Sequence, residues 1–222
     1  MYRKLFLAAF SGLALIPVSA MAQIAEVRVG VAEFDERTLK IPAALRFANE
    51  NSIAVSGEIL FEEPEFLKWA LSPQPYIGGT LNLEGKTSFG GAGLLWRQTV
   101  GKKLYGDFAL GLAAHNGTKT IGVSDELLAL LRQADQFENF DDIPSDLSNA
   151  LDDEFRARRN RFDNEIEFGS RVLFRLQGAI GININEDWAS ELYVEHLSNG
   201  GVFSKTKNDG VDNLGFRVAR KF

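Results

Sequence analysis

Polar and apolar residues alternate along most of this chain, which is the pattern of β-strands whose two faces meet different surroundings. The alternation recurs in stretches separated by Gly, Asn, Asp or Lys, which lie at roughly 24–33, 52–62, 75–84, 87–98, 103–114, 163–182, 187–198 and 212–222. An even number of antiparallel strands is typical of a closed barrel. We therefore predict an all-β fold, an eight-stranded antiparallel β-barrel.

The parity of the charged residues indicates which side of this barrel is polar. In the sixth predicted strand Arg171 and Arg175 share one parity, and the opposite parity is mostly apolar. In the seventh, Glu191 and Glu195 likewise lie opposite a mostly apolar parity. We expect these four side chains to face one another across a polar interior, while the apolar side faces lipid. The pattern favours a transmembrane barrel over the alternative, a soluble β-sandwich or lipocalin-like barrel with its polar face in water.

Residues 1–22 have the pattern of a secretory signal peptide, with Arg3 and Lys4 before an apolar run and an Ala-Met-Ala cleavage site at 20–22. We therefore expect a mature barrel of residues 23–222. No later stretch approaches the ~18 apolar residues of a membrane-spanning helix, which excludes a helical membrane protein. The terminal Phe222, with apolar residues alternating before it, resembles the signal that the assembly machinery of outer-membrane barrels reads.

Charge and cysteine content exclude several classes of function. The whole chain has a formal net charge of −6, and removal of Arg3 and Lys4 makes the mature chain more acidic still. Nucleic acid is therefore not an expected partner. The chain has no cysteine, which excludes disulfides, thiol catalysis and cysteine-ligated metal.

The strand directions place three connections outside the cell, at 35–51, 115–162 and 199–211, if the amino terminus is periplasmic. The second of these is unusually long and acidic, with a helix N-cap at Ser124 and a second, short helix starting near Pro144. Four arginines then follow one another closely, at 156, 158, 159 and 161. We favour a solvated cap, and the alternative is a lid whose acidic part binds divalent cations and whose arginines contact phosphates of surface glycolipid.

His196 and Ser198 stand two apart near the end of the seventh strand, so they share one face. Their parity is that of Leu192, which places an imidazole and a hydroxyl on the lipid-facing side near the outer rim. Asp212 has the lipid-facing parity of the eighth strand, and it could orient the imidazole as serine hydrolases require. His115 should face inward and is a poor candidate. The alternative is that His196 is an ordinary histidine whose hydrogen bonds are satisfied, and that Ser198 only begins a turn that opens a loop.

Three segments near the carboxyl end resemble those of a known family. They are GSRVLFRLQGAIG from Gly169 to Gly181, HLSNGG from His196 to Gly201, and NDGVDNLGFRV from Asn208 to Val218. They are similar to the PagL-like lipid A 3-O-deacylases, which are acyloxyacyl hydrolases of Gram-negative outer membranes. The earlier strands agree with this family only in architecture.

The resemblance implies a catalytic triad on the lipid-facing surface of the barrel. Ser198 would be the nucleophile, His196 its general base and Asp212 the acid that holds the imidazole. Asn199 and Gly201 would match the oxyanion donors. The best-known members have Glu where Asp212 stands, and the spacing from His196 is longer here, so the acid departs most from the family. Such hydrolysis requires no cofactor and no metal ion.

We therefore expect an outer-membrane serine esterase, a carboxylic ester hydrolase that removes a 3-hydroxyacyl chain from lipid A at the outer leaflet of a Gram-negative cell. The alternative is a non-catalytic eight-stranded barrel whose long loop serves adhesion or surface charge. A soluble periplasmic lipid-binding barrel is the third interpretation. The expected partners are lipid A or lipopolysaccharide and the outer membrane, and a homodimer is left open.

Overall fold

The chain closes into an eight-stranded antiparallel barrel in a computed structural model that describes residues 23–34, 50, 52–205 and 207–222. Consecutive strands pair with one another, and the first strand pairs with the last, so the predicted all-β barrel is confirmed. The strands are β1 (Ile24–Phe34), β2 (Ser52–Phe61), β3 (Gln74–Asn82), β4 (Phe89–Val100), β5 (Leu104–His115), β6 (Val172–Asn183), β7 (Trp188–Ser198) and β8 (Val211–Lys221). The predicted signal peptide, 1–22, lies outside the described residues.

The outside of the barrel is apolar, as the parity predicted. Large aliphatic and aromatic side chains are half or more exposed along the middle of the strands, including Val29, Val31, Ile53, Phe108, Ile180, Leu192 and Phe216. A continuous apolar belt around a closed sheet has every backbone group paired within the sheet, which is the condition for spanning a bilayer. The barrel is therefore a transmembrane one. Among the described residues, no helix is both long and apolar enough to cross a membrane.

The inside of the barrel is filled by buried ion pairs. Glu58 accepts hydrogen bonds from Arg217 at 2.7 Å and lies 2.8 Å from Arg175, while Arg28 lies 2.6 Å from Asp107. Buried charges persist in proteins only when they are paired in this way. Glu58 therefore joins two arginines that lie on different strands of the sheet.

Three of the four residues in the predicted charge ladder face inward. Arg175 donates to Glu195, and Glu191 accepts from Arg217. The prediction for Arg171 was wrong, because this residue precedes β6, is exposed, and donates to the carbonyl of Gly117. Strand β6 starts at Val172 rather than near residue 163, so Arg171 lies just before the strand. Strand parity therefore does not decide which way its side chain points.

One end of the barrel carries the long connections, and we call it the loop end. Its interior is closed by an apolar cluster that consists of Phe34, Ala54, Phe89, Ala113, Ile166, Phe168, Leu173, Leu197 and Val211. His115 faces this interior, as predicted, with its ring centroid 4.3 Å from that of Phe168 and its Nε2 donating to the Ser170 carbonyl at 2.6 Å. Residues 35–49 and 51 of the first predicted extracellular connection lie outside the described residues.

The connection from β5 to β6 is partly helical, as predicted. Helix α1 (Asp125–Ala134) begins after Ser124, whose hydroxyl accepts from Leu127 N at 3.0 Å, so the predicted N-cap is confirmed. A short 3₁₀ helix, Phe140–Asp142, leads to helix α2 (Ser145–Asn164). Helix α2 has 20 residues and is not the short helix expected. Leu127 of α1 and Leu151 of α2 are both buried, and the hydroxyl of Ser124 donates to the carboxylate of Glu154 in α2 at 2.8 Å.

The opposite end has short turns and one 3₁₀ helix, Glu65–Ala70, between β2 and β3. The indole Nε1 of Trp96 donates to the Ala70 carbonyl at 2.8 Å and fixes this segment against β4. At the same end the guanidinium of Arg220 lies 5.0 Å above the Trp188 ring, an aromatic pairing typical of a membrane interface.

Candidate active site

His196 and Asp212 form a hydrogen-bonded pair across two neighbouring strands. They are direct partners in the register of β7 and β8, and Nδ1 of the imidazole lies 2.8 Å from Oδ1 of the carboxylate. Both side chains are on the outer face of the barrel and partly exposed, at 28% and 17%. Because a carboxylate only accepts, Nδ1 carries the proton and Nε2 is left to act as a base.

Ser198 lies two residues beyond His196 on the same outward face of β7, as the parity predicted. Its partner on β6 is Phe174. Within the described residues, no hydrogen bond joins the Ser198 hydroxyl to the imidazole. The structure therefore brings the acid and the histidine into contact, and it places the hydroxyl on their face without a direct bond.

Asn199 turns inward and is completely buried at the start of the connection to β8. Its Nδ2 donates to the carbonyls of Phe168 and Lys207, at 2.7 and 2.6 Å. Its Oδ1 accepts from Gly201 N at 2.7 Å. These hydrogen bonds hold the connection from β7 to β8 in place. They also occupy Asn199 Nδ2 and Gly201 N–H, which belong to the two residues that the family resemblance suggested as oxyanion donors. In this arrangement neither Asn199 Nδ2 nor Gly201 N–H faces the lipid side.

Gly200 stands between these residues and was not singled out from the sequence. Its φ of 61° is in the left-handed region, and a side chain at this position would contact the ring of Phe174. Gly200 N makes no hydrogen bond within the described part of the chain. It is therefore an uncommitted backbone donor two residues after Ser198, which only the local backbone geometry reveals.

Apolar side chains surround the polar pair on the outer face. The rings of Phe174 and Phe203 stack with their centroids 5.0 Å apart, and the neighbouring Val202 is exposed. Leu176 is the β6 partner of His196. An acyl chain from the membrane would find an apolar surface beside Ser198. Phe174 could have been found from the sequence, since it has the lipid-facing parity, whereas Phe203 lies on a connection that parity does not cover.

Gly210 packs directly against the imidazole. A Cβ atom at this position would lie 2.9 Å from Cε1 of His196 and 3.0 Å from the Leu197 carbonyl. Contacts this short force a neighbouring group to move. The absence of a side chain at 210 therefore leaves room for the histidine ring that Asp212 orients.

Two ionic contacts hold the base of the long connection near this site. Arg161 donates to Glu165 at 2.8 Å, and this hydrogen bond lowers the pKa of the Glu165 carboxyl. Lys207 donates to Glu167 at 2.6 Å, which raises the pKa of the Lys207 amine. In the described ranges no group of three or more His, Cys, Asp or Glu side chains is arranged to hold a metal ion.

One family model matches the part of the chain that contains these residues. Residues 152–221 match the model of the family described as lipid A 3-O-deacylase (PagL), so the match includes His196, Ser198 and Asp212. No protein of curated function matches the sequence significantly.

A solved structure with a similar fold is that of an outer-membrane enzyme. The crystal structure of the outer membrane enzyme PagL is 12% identical, with a TM-score of 0.50 over 89% of this chain and 100% of that one. Neisserial surface protein A is a weaker match, 8% identical, with a TM-score of 0.47 over 89% of this chain and 96% of that one. Identities this low indicate a shared fold and not a shared activity. The chain thus has the fold of an outer-membrane β-barrel, and its carboxy-terminal third is similar to the lipid A 3-O-deacylase (PagL) family.

Proposed function

We propose that this protein is an outer-membrane lipid A 3-O-deacylase that works through Ser198, His196 and Asp212. The observation that carries the proposal is the 2.8 Å contact between His196 and Asp212 on the lipid side of the barrel, with Ser198 on the same face. A histidine on this side is costly without polar partners, so a partner aligned by strand register favours a functional pair over an incidental one. The match of residues 152–221 to the deacylase family supports the same substrate.

The proposed reaction begins when a lipid A ester reaches the outer face beside Phe174. Rotation of the Ser198 side chain brings its hydroxyl to Nε2 of His196, a contact that apo active sites commonly lack. The hydroxyl oxygen attacks the ester carbonyl while its proton passes to Nε2. Asp212 stabilises the imidazolium that forms.

The tetrahedral intermediate then collapses to an acyl-enzyme. The C–O bond to the sugar breaks, and the imidazolium returns its proton to the sugar 3-oxygen as it leaves. Water, deprotonated by His196, hydrolyses the Ser198 ester and releases a 3-hydroxy fatty acid. Gly200 N–H is the donor that we assign to the oxyanion, because Asn199 and Gly201 are occupied by other bonds.

The interior of the barrel supports an approach from the membrane and not through the barrel. Arg175 and Glu58 are buried in an ion-pair network that fills the middle of the barrel, and apolar side chains close the loop end. A lipid already in the outer leaflet meets Ser198 by lateral diffusion. The acyl chain then stays in its apolar surroundings throughout the reaction.

The test is mass spectrometry of lipid A from Gram-negative cells that express either this chain or its Ser198→Ala variant, with both proteins confirmed in the outer membrane. We expect one 3-hydroxyacyl mass to be lost with the unaltered chain only. Unchanged lipid A in both strains, and also with purified protein in detergent, would contradict the proposal. That result would favour a non-catalytic barrel with an adhesive or surface-charge role.

A further inference from the structure

The second half of α2 carries a groove. Its lining combines arginines, phenylalanines and two aspartates, namely Asp152, Phe155, Arg156, Arg158, Arg159, Phe162 and Asp163. Leu151, one turn before Phe155, is buried, whereas Phe155 itself is 47% exposed. Nothing in the described chain covers the ring of Phe155.

The arginines of α2 differ in whether they have a carboxylate partner. Arg161 is paired with Glu165 at 2.8 Å, and Arg156 is within 3.5 Å of Asp153. Arg158 and Arg159 have no carboxylate within ion-pair distance among the residues that the structure describes. Two adjacent guanidinium groups are thus left unpaired in an otherwise acidic connection, although carboxylates are abundant nearby.

The guanidinium of Arg158 lies over an aromatic ring. Its Cζ lies 5.2 Å from the centroid of the Phe162 ring, and its Nε is buried without a hydrogen-bond partner. A guanidinium fixed over an aromatic ring has its fork of donors preorganised for a planar or tetrahedral oxyanion. A buried donor without a partner costs free energy unless a ligand satisfies it. The groove therefore has the chemistry of a phosphate site.

One residue, Lys207, links this groove to the proposed active site. Nζ of Lys207 lies 5.8 Å from the centroid of the Phe162 ring, and the carbonyl of Lys207 accepts from Nδ2 of Asn199. Asn199 directly follows Ser198 in the chain. The bond to Glu167 raises the pKa of the Lys207 amine, so this residue stays cationic at neutral pH. Lys207 therefore lies between the groove and the residue that follows Ser198.

Exposed aromatic residues beside arginines are typical of segments that rest at the surface of a membrane. Phe155 and Phe162 are both more than a third exposed, on a connection that leaves the lipid-facing wall of the barrel. Asp152 and Asp163 keep the net charge of the groove low. Because the net charge is low, the groove does not attract anionic lipids in general. Binding then depends on directed hydrogen bonds to a particular group.

We propose that Arg158 and Arg159 bind a phosphate group on the sugar head group of the glycolipid whose acyl chain is cleaved at Ser198. The inference rests on the proposed function and extends it to recognition of the substrate. Acyl chains in the leaflet are alike to an apolar surface, whereas a phosphate fixes the position and direction of the sugar. Binding it would bring one particular ester to the nucleophile.

The kinetic test compares two substrates, lipid A and the same lipid A after enzymatic removal of its phosphates, in mixed detergent micelles. The variants Arg158→Gln and Arg159→Gln each remove one charge from the groove. We expect each to lower kcat/KM on phosphorylated lipid A by about 10-fold, mainly through KM, because a charge-assisted hydrogen bond is lost. On the dephosphorylated substrate their kcat/KM should equal that of the unaltered chain.

The matched control is Arg132→Gln, which removes one exposed charge from α1 outside the groove. It should leave kcat/KM on both substrates unchanged. Equal losses on both substrates in the groove variants, or no loss on either, would overturn the proposal. A loss with Arg132→Gln as large as that with Arg158→Gln would also overturn it, because general charge would then explain the effect.

A binding measurement separates failure of this inference from failure of the proposed function. Native mass spectrometry of the Ser198→Ala protein should detect bound lipid A. The same protein with Arg158→Gln added should carry about 10-fold less bound lipid A. Retention that Arg158→Gln weakens, without any deacylation by the unaltered chain, would support the phosphate site and reject the deacylase. Displacement of lipid A by millimolar inorganic phosphate would reject the lipid head group as the specific ligand.

Discussion

His196 and Asp212 are joined at 2.8 Å because the register of β7 and β8 places them directly opposite each other. Side chains in such a pair start only ~4.5–5.5 Å apart at Cβ, so a short carboxylate is enough to reach the imidazole. The backbone hydrogen bonds of the two strands fix this spacing. The structure thus gives a physical reason why a carboxylate as short as that of Asp212 would suffice as the acid of the proposed triad.

Replacement of Asp212 by Asn should lower kcat by about 10³-fold or more, because an amide no longer stabilises the imidazolium and favours the wrong tautomer. Asp212→Glu should keep measurable activity. The measurement is the rate of fatty acid release from lipid A by purified, folded protein. Asp209→Asn is the control, since Asp209 lies on the same connection and its backbone N–H bonds to Glu167 O. More than a tenth of the activity remaining in Asp212→Asn would remove the residue from the triad.

Replacement of Gly210 by Ala should reduce kcat by roughly 10-fold to 100-fold, because the added methyl group displaces the His196 ring from its contact with Asp212. The variant should still migrate as a folded barrel before boiling. Gly122→Ala is the matched control, because a Cβ there has no heavy atom within 4 Å. Unchanged kcat in Gly210→Ala would show that the ring position does not limit the reaction.

Replacement of Asn199 by Ala should destabilise the connection after β7 by about 2 kcal/mol, since two buried carbonyls and one N–H lose their partner. Hydrogen exchange at the amide of Gly201 should become faster, and deacylation should slow. Asn164→Ala, at the exposed end of α2, should change neither. Slower deacylation with unaltered exchange would instead favour a direct oxyanion role for Asn199.

Replacement of Glu58 by Gln should lower the free energy of unfolding by about 3 kcal/mol, because Arg175 and Arg217 would lose a buried counter-charge. Urea unfolding from phospholipid vesicles measures this change, and Glu63→Gln at an exposed position is the control. Activity per folded molecule should not change. Equal unfolding curves for the two variants would mean that the interior ion pairs contribute little to stability.

Strand parity predicted much of this arrangement from the sequence. It placed His196, Ser198 and Asp212 on the outside and Arg175 with Glu195 on the inside, because a period of two residues decides the face wherever the chain lies within the sheet. Arg171 shows the limit of this reasoning. At that position the chain lies above the barrel rim, where alternation has no structural meaning.

The contacts of Asn199 could not have been predicted in this way. Its amide bonds to the carbonyl of Phe168, 31 residues away, and to that of Lys207. Such pairing depends on how two connections fold over the rim, which no local pattern records. The length of α2 was missed for a related reason, since most of its residues are exposed and only Leu151 among them is buried.

The length of strand β7 sets the depth at which Ser198 lies in the membrane. Ten residue steps separate Trp188, which lies under Arg220 at the short-turn end, from Ser198. At ~3.3 Å per residue and a tilt of about 40°, this is a height of about 25 Å, which equals the apolar band of an outer-membrane barrel. The proposed nucleophile is therefore held level with the opposite edge of the hydrocarbon layer. Under the proposed function, an ester would be selected by its height above the bilayer centre before any side chain contacts it.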